Sequence, residues 1–300
     1  MRSSLSKNKS KKLRILVIGG DGMLGHQLLR QLGNRHCVRV VLHKAARQYR
    51  GMGLYSPVNA YFGVDVRYFG RVEKIVRSFR PDAVINAVGI IKQRDDGEDP
   101  VLNVAVNSLF PHQMARLCGE IGARFVHLST DCVFNGSRGN YSETDEPDAG
   151  DLYGRSKLLG EVGYAPAITL RTSMIGPELF RKAGLLEWFM AQQGSVSGYT
   201  RAVFSGFTTI ELARVVERAI VRRPDLHGVY HASAEPITKY DLLQLIKRKL
   251  GHDIRIVRDG SLRIDRSLDS TRFRRDFSYA PPSWDYMIHE LADQIKGDAR

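Results

Sequence analysis

The stretch Leu13-Arg14-Ile15-Leu16-Val17-Ile18-Gly19-Gly20-Asp21-Gly22-Met23-Leu24-Gly25 decides the fold. Its first half is a nearly unbroken apolar run, the pattern of a strand buried on both faces. Gly19, Gly22 and Gly25 follow at intervals of three, and His26 to Leu32 then carries leucines at helical spacing. The order is strand, glycine loop, helix. Such a loop turns tightly and lets the backbone approach a pyrophosphate, whose charge meets the helix N-terminus. An ordinary βα turn would show glycines too, but the flanking strand and helix favour a dinucleotide site. Gly19, Gly22, Met23, Leu24 and Gly25 are its first candidate residues.

Downstream the alternation continues. Cys37 to Leu42, Ala60 to Val66, Ala83 to Ile91 and Arg124 to Leu128 read as further strands. Phe69 to Phe79, and a segment opened by Asp99-Pro100 and running to Ile121, read as helices between them. This predicts an α/β fold, a Rossmann-type doubly wound parallel sheet whose ligands bind at the carboxyl ends of strands. After the second strand no acidic residue awaits a ribose 2′-hydroxyl. His43, Lys44, Arg47 and Arg50 stand there instead, suiting the 2′-phosphate of NADP or serving only as solvated loop charges. Asp65 and Val66 fall where an adenine would lie, Asn86-Ala87-Val88 can pass close to a cofactor, and Asn107 lies in the next helix.

Ser129-Thr130-Asp131 ends the fifth strand. Its hydroxyls and carboxylate either line the crevice or cap a turn. Asp151-Leu152-Tyr153-Gly154-Arg155-Ser156-Lys157 follows, on a helix expected to reach Gly163. A four-residue spacing puts Tyr153 and Lys157 on one helix face. A phenol with a pKa near ~10 is a weak acid at neutral pH. An adjacent ammonium stabilises the phenolate, lowers that pKa and makes a proton donor. A packed aromatic on a surface helix would show the same spacing. Another strand, Ala167 to Leu170, ends at Arg171-Thr172-Ser173.

The 300 residues suit one large α/β domain or a nucleotide-binding domain with a smaller partner. Part of the net charge of +13 sits in Met1 to Arg14, which has no apolar segment. Residues 1–12 read as a disordered basic tail, not a secretory signal. No zinc spacing or RNA-reading motif accompanies the charge, so no nucleic-acid partner is expected. Cys37, Cys118 and Cys132 fit no metal spacing and suit a reducing cytoplasm. No apolar run nears the ~20 residues needed to cross a bilayer, so no membrane span is expected.

Several separate motifs then agree on a family. The loop at 19–25, Ser129-Thr130-Asp131-Cys132-Val133-Phe134-Asn135-Gly136, Tyr153-Gly154-Arg155-Ser156-Lys157-Leu158-Leu159-Gly160-Glu161 and Arg171-Thr172-Ser173 resemble, in order, those of the extended short-chain dehydrogenase/reductase superfamily. Within it they are most similar to the dTDP-4-dehydrorhamnose reductase-like sugar-nucleotide reductases. Phe204 to Thr209, Gly228 to His231, and Arg266-Ser267-Leu268-Asp269 with Phe273 carry the resemblance into the last third.

The resemblance implies NADPH, or else NADH, held by the residues above together with Ser129, Tyr153 and Lys157. It implies reduction of the C4 ketone of a nucleoside-diphosphate 4-keto-6-deoxy sugar, for surface polysaccharide precursors. Tyr153 would be the acid, Lys157 would lower its pKa and bind the nicotinamide ribose, and Thr130 would hydrogen-bond the ketone oxygen. Thr130, Asp131, Arg171, Ser173, Met174, Arg266 and Asp269 become substrate-side candidates, and no metal ligand is assigned. A Rossmann domain of residues 13–172 and 207–231 is implied, with a smaller sugar-nucleotide domain of 173–206 and 232–300. A homodimer is the candidate assembly.

Four departures, at Cys132, Met174, Phe207 and Gly89-Ile90-Ile91-Lys92-Gln93, are expected around the sugar and leave its identity open. Two other readings stand beside the reductase. One is an epimerase or dehydratase of the same superfamily. The other is a non-catalytic NADP-binding subunit like the methionine adenosyltransferase β-subunit. The complete set of Thr130, Tyr153 and Lys157 favours catalysis.

Overall fold

Ile15 and Val17 pack on one face of a central sheet and Leu16 and Ile18 on the other, all four fully buried. They belong to β1 (Arg14–Ile18) of the computed structural model, which describes residues 12–92, 94 and 96–298. The tail expected over residues 1–12 lies outside the described residues except for Lys12, as does Gln93.

With β1 run β2 (Cys37–Val41), β3 (Ala60–Tyr61), β4 (Ala83–Asn86), β5 (Arg124–Leu128) and β6 (Ala167–Arg171). After β7 (Met174–Ile175), β8 (Ser195–Phe204) and β9 (Phe207–Thr208), the chain returns as β10 (Gly228–His231) to complete this sheet. Its seven strands are all parallel, in the order β10-β6-β5-β4-β1-β2-β3. The strand order reverses between β1 and β4, so the glycine loop leaves β1 at the switch point where such sheets bind ligands.

Helices cover both faces. Leu28 and Leu32 of α1 (Gly25–Leu32), Val215 of α7 (Thr209–Val221) and Leu291 of α10 (Trp284–Asp298) pack on one side. Val72 and Val76 of α2 (Phe69–Phe79) and Phe110 and Met114 of α4 (Phe110–Ile121) pack on the other. A separate three-stranded sheet, β11-β8-β12, is made with β11 (Ile237–Thr238) and β12 (Arg255–Asp265). Leu242 and Ile246 of α8 (Lys239–Leu250) join Val196 and Phe204 of that sheet in the same apolar cluster as the α1 and α7 face. Among the described residues no helix is long and apolar enough to cross a membrane.

Three elements are shorter than the pattern predicts. The third strand leaves the sheet after Tyr61, because Gly63 turns at φ +67° and the Asp65 carboxylate takes the Arg67 N–H at 2.9 Å. The fourth stops at Asn86, whose Oδ1 accepts the Val88 N–H at 3.2 Å in place of a ladder bond. The helix carrying Tyr153, α5 (Leu152–Leu159), ends four residues early at Gly160, where the chain meets the Asn107 carbonyl. The long helix from Pro100 to Ile121 forms as α3 (Pro100–Asn103) and α4 joined by a π-helical segment, Val104–Leu109, with Asp99 capping its start.

Gly25 fixes the angle at which α1 leaves the loop. A Cβ there would stand 2.0 Å from the Gly19 carbonyl oxygen, and Gly19 itself lies at φ +85°. Gly25→Ala should therefore cost roughly 2–4 kcal/mol, as overpacking against backbone does. Urea unfolding measures it, and an unchanged midpoint would count against this packing.

Candidate active site

The site is built from α5 upward. Asp151 caps the helix, its Oδ1 accepting the Gly154 N–H at 2.8 Å. Gly154 has no side chain because a Cβ would stand 2.3 Å from the Cys132 carbonyl. This close approach brings α5 against the short 3-10 turn Asp131–Val133, which Thr130 caps by accepting the Cys132 N–H at 3.1 Å. The Thr130 hydroxyl donates to Asp131 Oδ1 at 3.2 Å and stands against the Tyr153 phenol, where it favours the ionised form.

The other small residues of the motif have equally definite partners. Asn107 Nδ2 donates to Ser156 Oγ at 3.0 Å, and a Cβ on Gly160 would fall 1.8 Å from the Asn107 carbonyl. Glu161 lies at the centre of a buried cluster. It accepts from Ser129 Oγ at 2.6 Å, from Arg171 Nε at 2.9 Å and from Arg171 Nη2 at 2.7 Å.

Lys157 is buried, and its Nζ donates to the Leu128 carbonyl at 2.6 Å. Burial draws its ammonium down to about 8, against the opposing charge of Glu161. The phenol of Tyr153 moves the other way from the sequence expectation. Burial, then the nearby Cys132 and Asp131, raises it above its ordinary range, and the Thr130 hydrogen bond only partly opposes this. Desolvation outweighs the effect expected of Lys157, whose ammonium is held by the strand end. Asp131 is likewise pushed up by burial, against Arg266 and its own hydrogen bonds.

Most of the predicted cofactor residues follow the carboxyl ends of β3, β2, β1, β4 and β5, while Asn107, Tyr153 and Lys157 lie on helical segments. A nicotinamide dinucleotide fits the cradle they form. Gly22 is exposed at the crest of the loop, and the Ala87 carbonyl closes one side, 3.1 Å from a Cβ built on Gly19. Val88 packs against the same glycine. Met23 is half-buried, whereas the Leu24 side chain belongs to the core, so only its backbone can serve a ligand. His43 is exposed, and Lys44 Nζ lies 3.5 Å above the Phe180 ring. Asp65 pairs with Arg67 at 2.6 Å, which holds its carboxyl below the usual range, and Val66 is buried behind it. Asn86 is buried and donates to His127 Nδ1 at 3.1 Å.

Five expectations change. Asn107 brackets Ile90 through both its N–H and its carbonyl, at 2.8 and 2.9 Å, so it shapes the loop after β4 and offers no free polar atom. Ser129 and Arg171 are committed to Glu161, since a buried guanidinium needs a buried partner. Asp269 caps the next turn by accepting the Thr271 N–H at 2.9 Å. Phe207 is fully buried in the core beside Tyr279, so its side chain is not exposed to a sugar. Its strand partner Met174 is only partly buried, and the Ser173 carbonyl accepts the Phe207 N–H at 2.9 Å. Arg266 stays near the site, its Nε donating to the Phe134 carbonyl at 2.8 Å while its charge favours ionised Asp131.

One lysine was missed, and another, expected around the sugar, stands beside the tyrosine. Lys92 Nζ sits 5.9 Å from the Tyr153 ring centroid and pairs with Asp151 at 2.6 Å. Lys239, first residue of α8, has its ammonium drawn down by burial and faces Asp131 and Cys132. No local pattern announces Lys239, because its partners come from a distant segment.

Three buried histidines around this frame set its acid limit. Burial lowers His26, His127 and His231, the last to about 4. The unfolded chain protonates each near ~6.5 while the native state resists. Stability is thus intact above that value and falls as pH drops towards 4, by up to about 1.4 kcal/mol per pH unit for each histidine. Urea midpoints at pH 7, 6 and 5 should decline in that order, and His231→Asn should flatten the decline.

Comparison with known proteins agrees with this architecture. The profile of the family described as RmlD substrate binding domain matches residues 13–179. Methionine adenosyltransferase 2 subunit beta of Danio rerio is 28% identical over 245 residues, 76% of this chain and 71% of that protein. A dTDP-4-dehydrorhamnose reductase of Mycobacterium tuberculosis is 30% identical over 171 residues, 54% of this chain and half (50%) of that protein. The crystal structure of dTDP-4-dehydrorhamnose reductase from Bacillus anthracis in complex with NADP superposes with a TM-score of 0.76 at 19% identity, covering 95% of this chain and 100% of that one. More than half of the chain matches the family profile: the chain belongs to the RmlD substrate binding domain family, the dTDP-4-dehydrorhamnose reductase-like group its motifs resemble.

Proposed function

We propose that the protein reduces the C4 ketone of a nucleoside-diphosphate 4-keto-6-deoxy sugar with NADPH. The observation that carries this reading is the Thr130 hydroxyl against the Tyr153 phenol at the carboxyl end of β5, with Lys157 one helical turn along. A bound nicotinamide would supply hydride, as such cofactors do. The chain's own part is to hold a proton where the ketone oxygen gains charge. Tyr153 keeps that proton at neutral pH as an ordinary phenol would, and burial raises its pKa further. Thr130 orients the phenol, and the charge of Lys157 at the same edge favours the phenolate left after transfer. Asp131, Arg266 and Lys239 are the polar groups proposed to meet the sugar nucleotide, whose reduced product would feed polysaccharide synthesis.

The absence of an acidic residue after β2 supports NADPH over NADH. A charge-assisted contact to the 2′-phosphate, worth ~1.5–3 kcal/mol, should give a kcat/KM at least about tenfold higher with NADPH. Equal values would remove the preference.

A second reading, partner binding without turnover, is favoured by the wide match to a protein named as a subunit. One panel separates the two. The protein is mixed with NADPH and dTDP- or UDP-linked 4-keto-6-deoxy and N-acetyl sugars, and the absorbance of the reduced nicotinamide is followed. A fall with one sugar supports the reductase. Cofactor binding without consumption across the panel supports the second reading.

A further inference from the structure

Between β7 and α6 (Leu185–Met190) the chain crosses residues 176–184 without regular structure. Glu178 sets the shape of this loop. Its carboxylate accepts the Ala183 N–H at 2.6 Å and the Gly184 N–H at 2.8 Å, and Glu187 accepts the Glu178 N–H at 3.1 Å. Lys182 turns the chain back at φ +53°, a region that a lysine seldom enters. Phe180, Arg181 and Lys182 form the tip.

The loop meets the cofactor cradle on three sides. Phe180 lies edge-on to Tyr49, ring centroids 5.6 Å apart, and Tyr49 donates to Asp21 of the glycine loop at 2.7 Å. The Lys44 ammonium, just past the end of β2, sits 3.5 Å over the same Phe180 ring, a cation–π contact. Gly184 stands against the glycine loop itself, where a Cβ would lie 3.0 Å from Met23 Cε. On the far side, Arg94 and, more weakly, the charge of Arg181 hold the Asp96 carboxyl, in the loop after β4, below its usual range. The segment thus runs from the end of β2 to the loop after β4 across the glycine loop.

Arg181 and Lys182 are exposed, and neither has a hydrogen bond or ion pair among the described residues. Asp96 is already met by Arg94 at 2.5 Å. The glycine loop, Gly19 to Gly25, carries no basic side chain and one acidic one, Asp21. Two phosphate charges laid on it therefore need a cation from another segment.

We propose that residues 178–184 form a strap across the adenosine half of the dinucleotide, with Arg181 binding its pyrophosphate. This rests on the cofactor reading of the cradle. Arg181 suits the role better than Lys182, because its charge reaches across to the loop after β4 and its planar fork matches phosphate oxygens. Phe180 is the anchor that seats the strap on Lys44 and Tyr49.

Fluorescence titration of the full chain with NADPH and with NADH tests it, without turnover. Arg181→Gln should weaken both by about tenfold or more and by the same factor, since both carry the pyrophosphate. Arg181→Lys should recover part of the loss. The side chain is exposed and unpaired, so the urea midpoint should not move. Phe180→Ala, which cuts the strap loose, should weaken both cofactors as well. Unchanged affinities in Arg181→Gln or in Phe180→Ala, or an Arg181→Gln loss confined to NADPH, which would put the arginine on the 2′-phosphate, overturn the proposal. A wild-type chain that binds neither cofactor overturns the cofactor reading itself, so the two failures are distinguishable.

Discussion

Tyr153→Phe is expected to lower kcat by about 10²–10⁴-fold, the usual contribution of a positioned acid, while NADPH affinity stays nearly unchanged. The phenol is held for this role from several directions. Asp151 starts the helix, Gly154 lets it approach the Cys132 carbonyl, and Thr130 faces the hydroxyl. Removing one oxygen gives up only the contact with Thr130 and leaves the helix cap and the Gly154 approach in place, so the variant should fold with a urea midpoint close to the wild-type value. Fluorescence titration with NADPH and steady-state turnover on the best sugar separate the two effects. Retained turnover would exclude Tyr153 as the acid. Weakened cofactor binding with unchanged kcat would assign it to holding the ligand instead.

The largest stability loss is expected from Glu161→Ala. Arg171 and Glu161 have side chains only 7% and 5% exposed, and the carboxylate also holds Ser129. Deleting it leaves a buried guanidinium with His231 at 3.2 Å and the Phe134 ring but no carboxylate, at a cost of roughly 3–5 kcal/mol. Replacing both partners by apolar residues removes the uncompensated charge. Glu161→Leu with Arg171→Met should therefore unfold at a higher urea concentration than Glu161→Ala alone. A loss below about 1 kcal/mol for the single variant would mean the pair is worth no more than a surface one. Because Ser129 precedes Thr130, the single variant should also slow turnover beyond what unfolding explains.

How much of this was legible depends on the range of the contacts. The β1 run and the glycine loop declare themselves because burial on both faces and close backbone approach restrict residue type locally. The helix Phe69–Phe79 forms over the predicted residues for the same reason: its periodicity is self-contained. β3 is shorter than its apolar pattern, because Gly63 and the Asp65–Arg67 contact draw the chain out of the sheet. Tyr153, Lys157 and Thr130 were found from spacing and resemblance, and the structure brings Thr130 to Tyr153. The direction of the tyrosine's shift was not legible, since desolvation depends on the whole fold. Nor were Glu161 as the partner of Arg171, or Lys239 beside Asp131, legible in advance. The first pairs across ten residues, and the second joins segments more than a hundred residues apart.

The most direct test of the reductase reading follows the label. NADPH deuterated at the nicotinamide C4 position that is transferred is incubated with the purified protein and the nucleoside-diphosphate 4-keto-6-deoxy sugar that gives turnover, and the product is examined by mass spectrometry and NMR. The account predicts one deuterium at sugar C4, one reduced cofactor consumed per ketone lost, and the same product formed about 10²–10⁴-fold more slowly with Tyr153→Phe. An altered sugar without deuterium, or bound cofactor with every sugar unchanged, would contradict it.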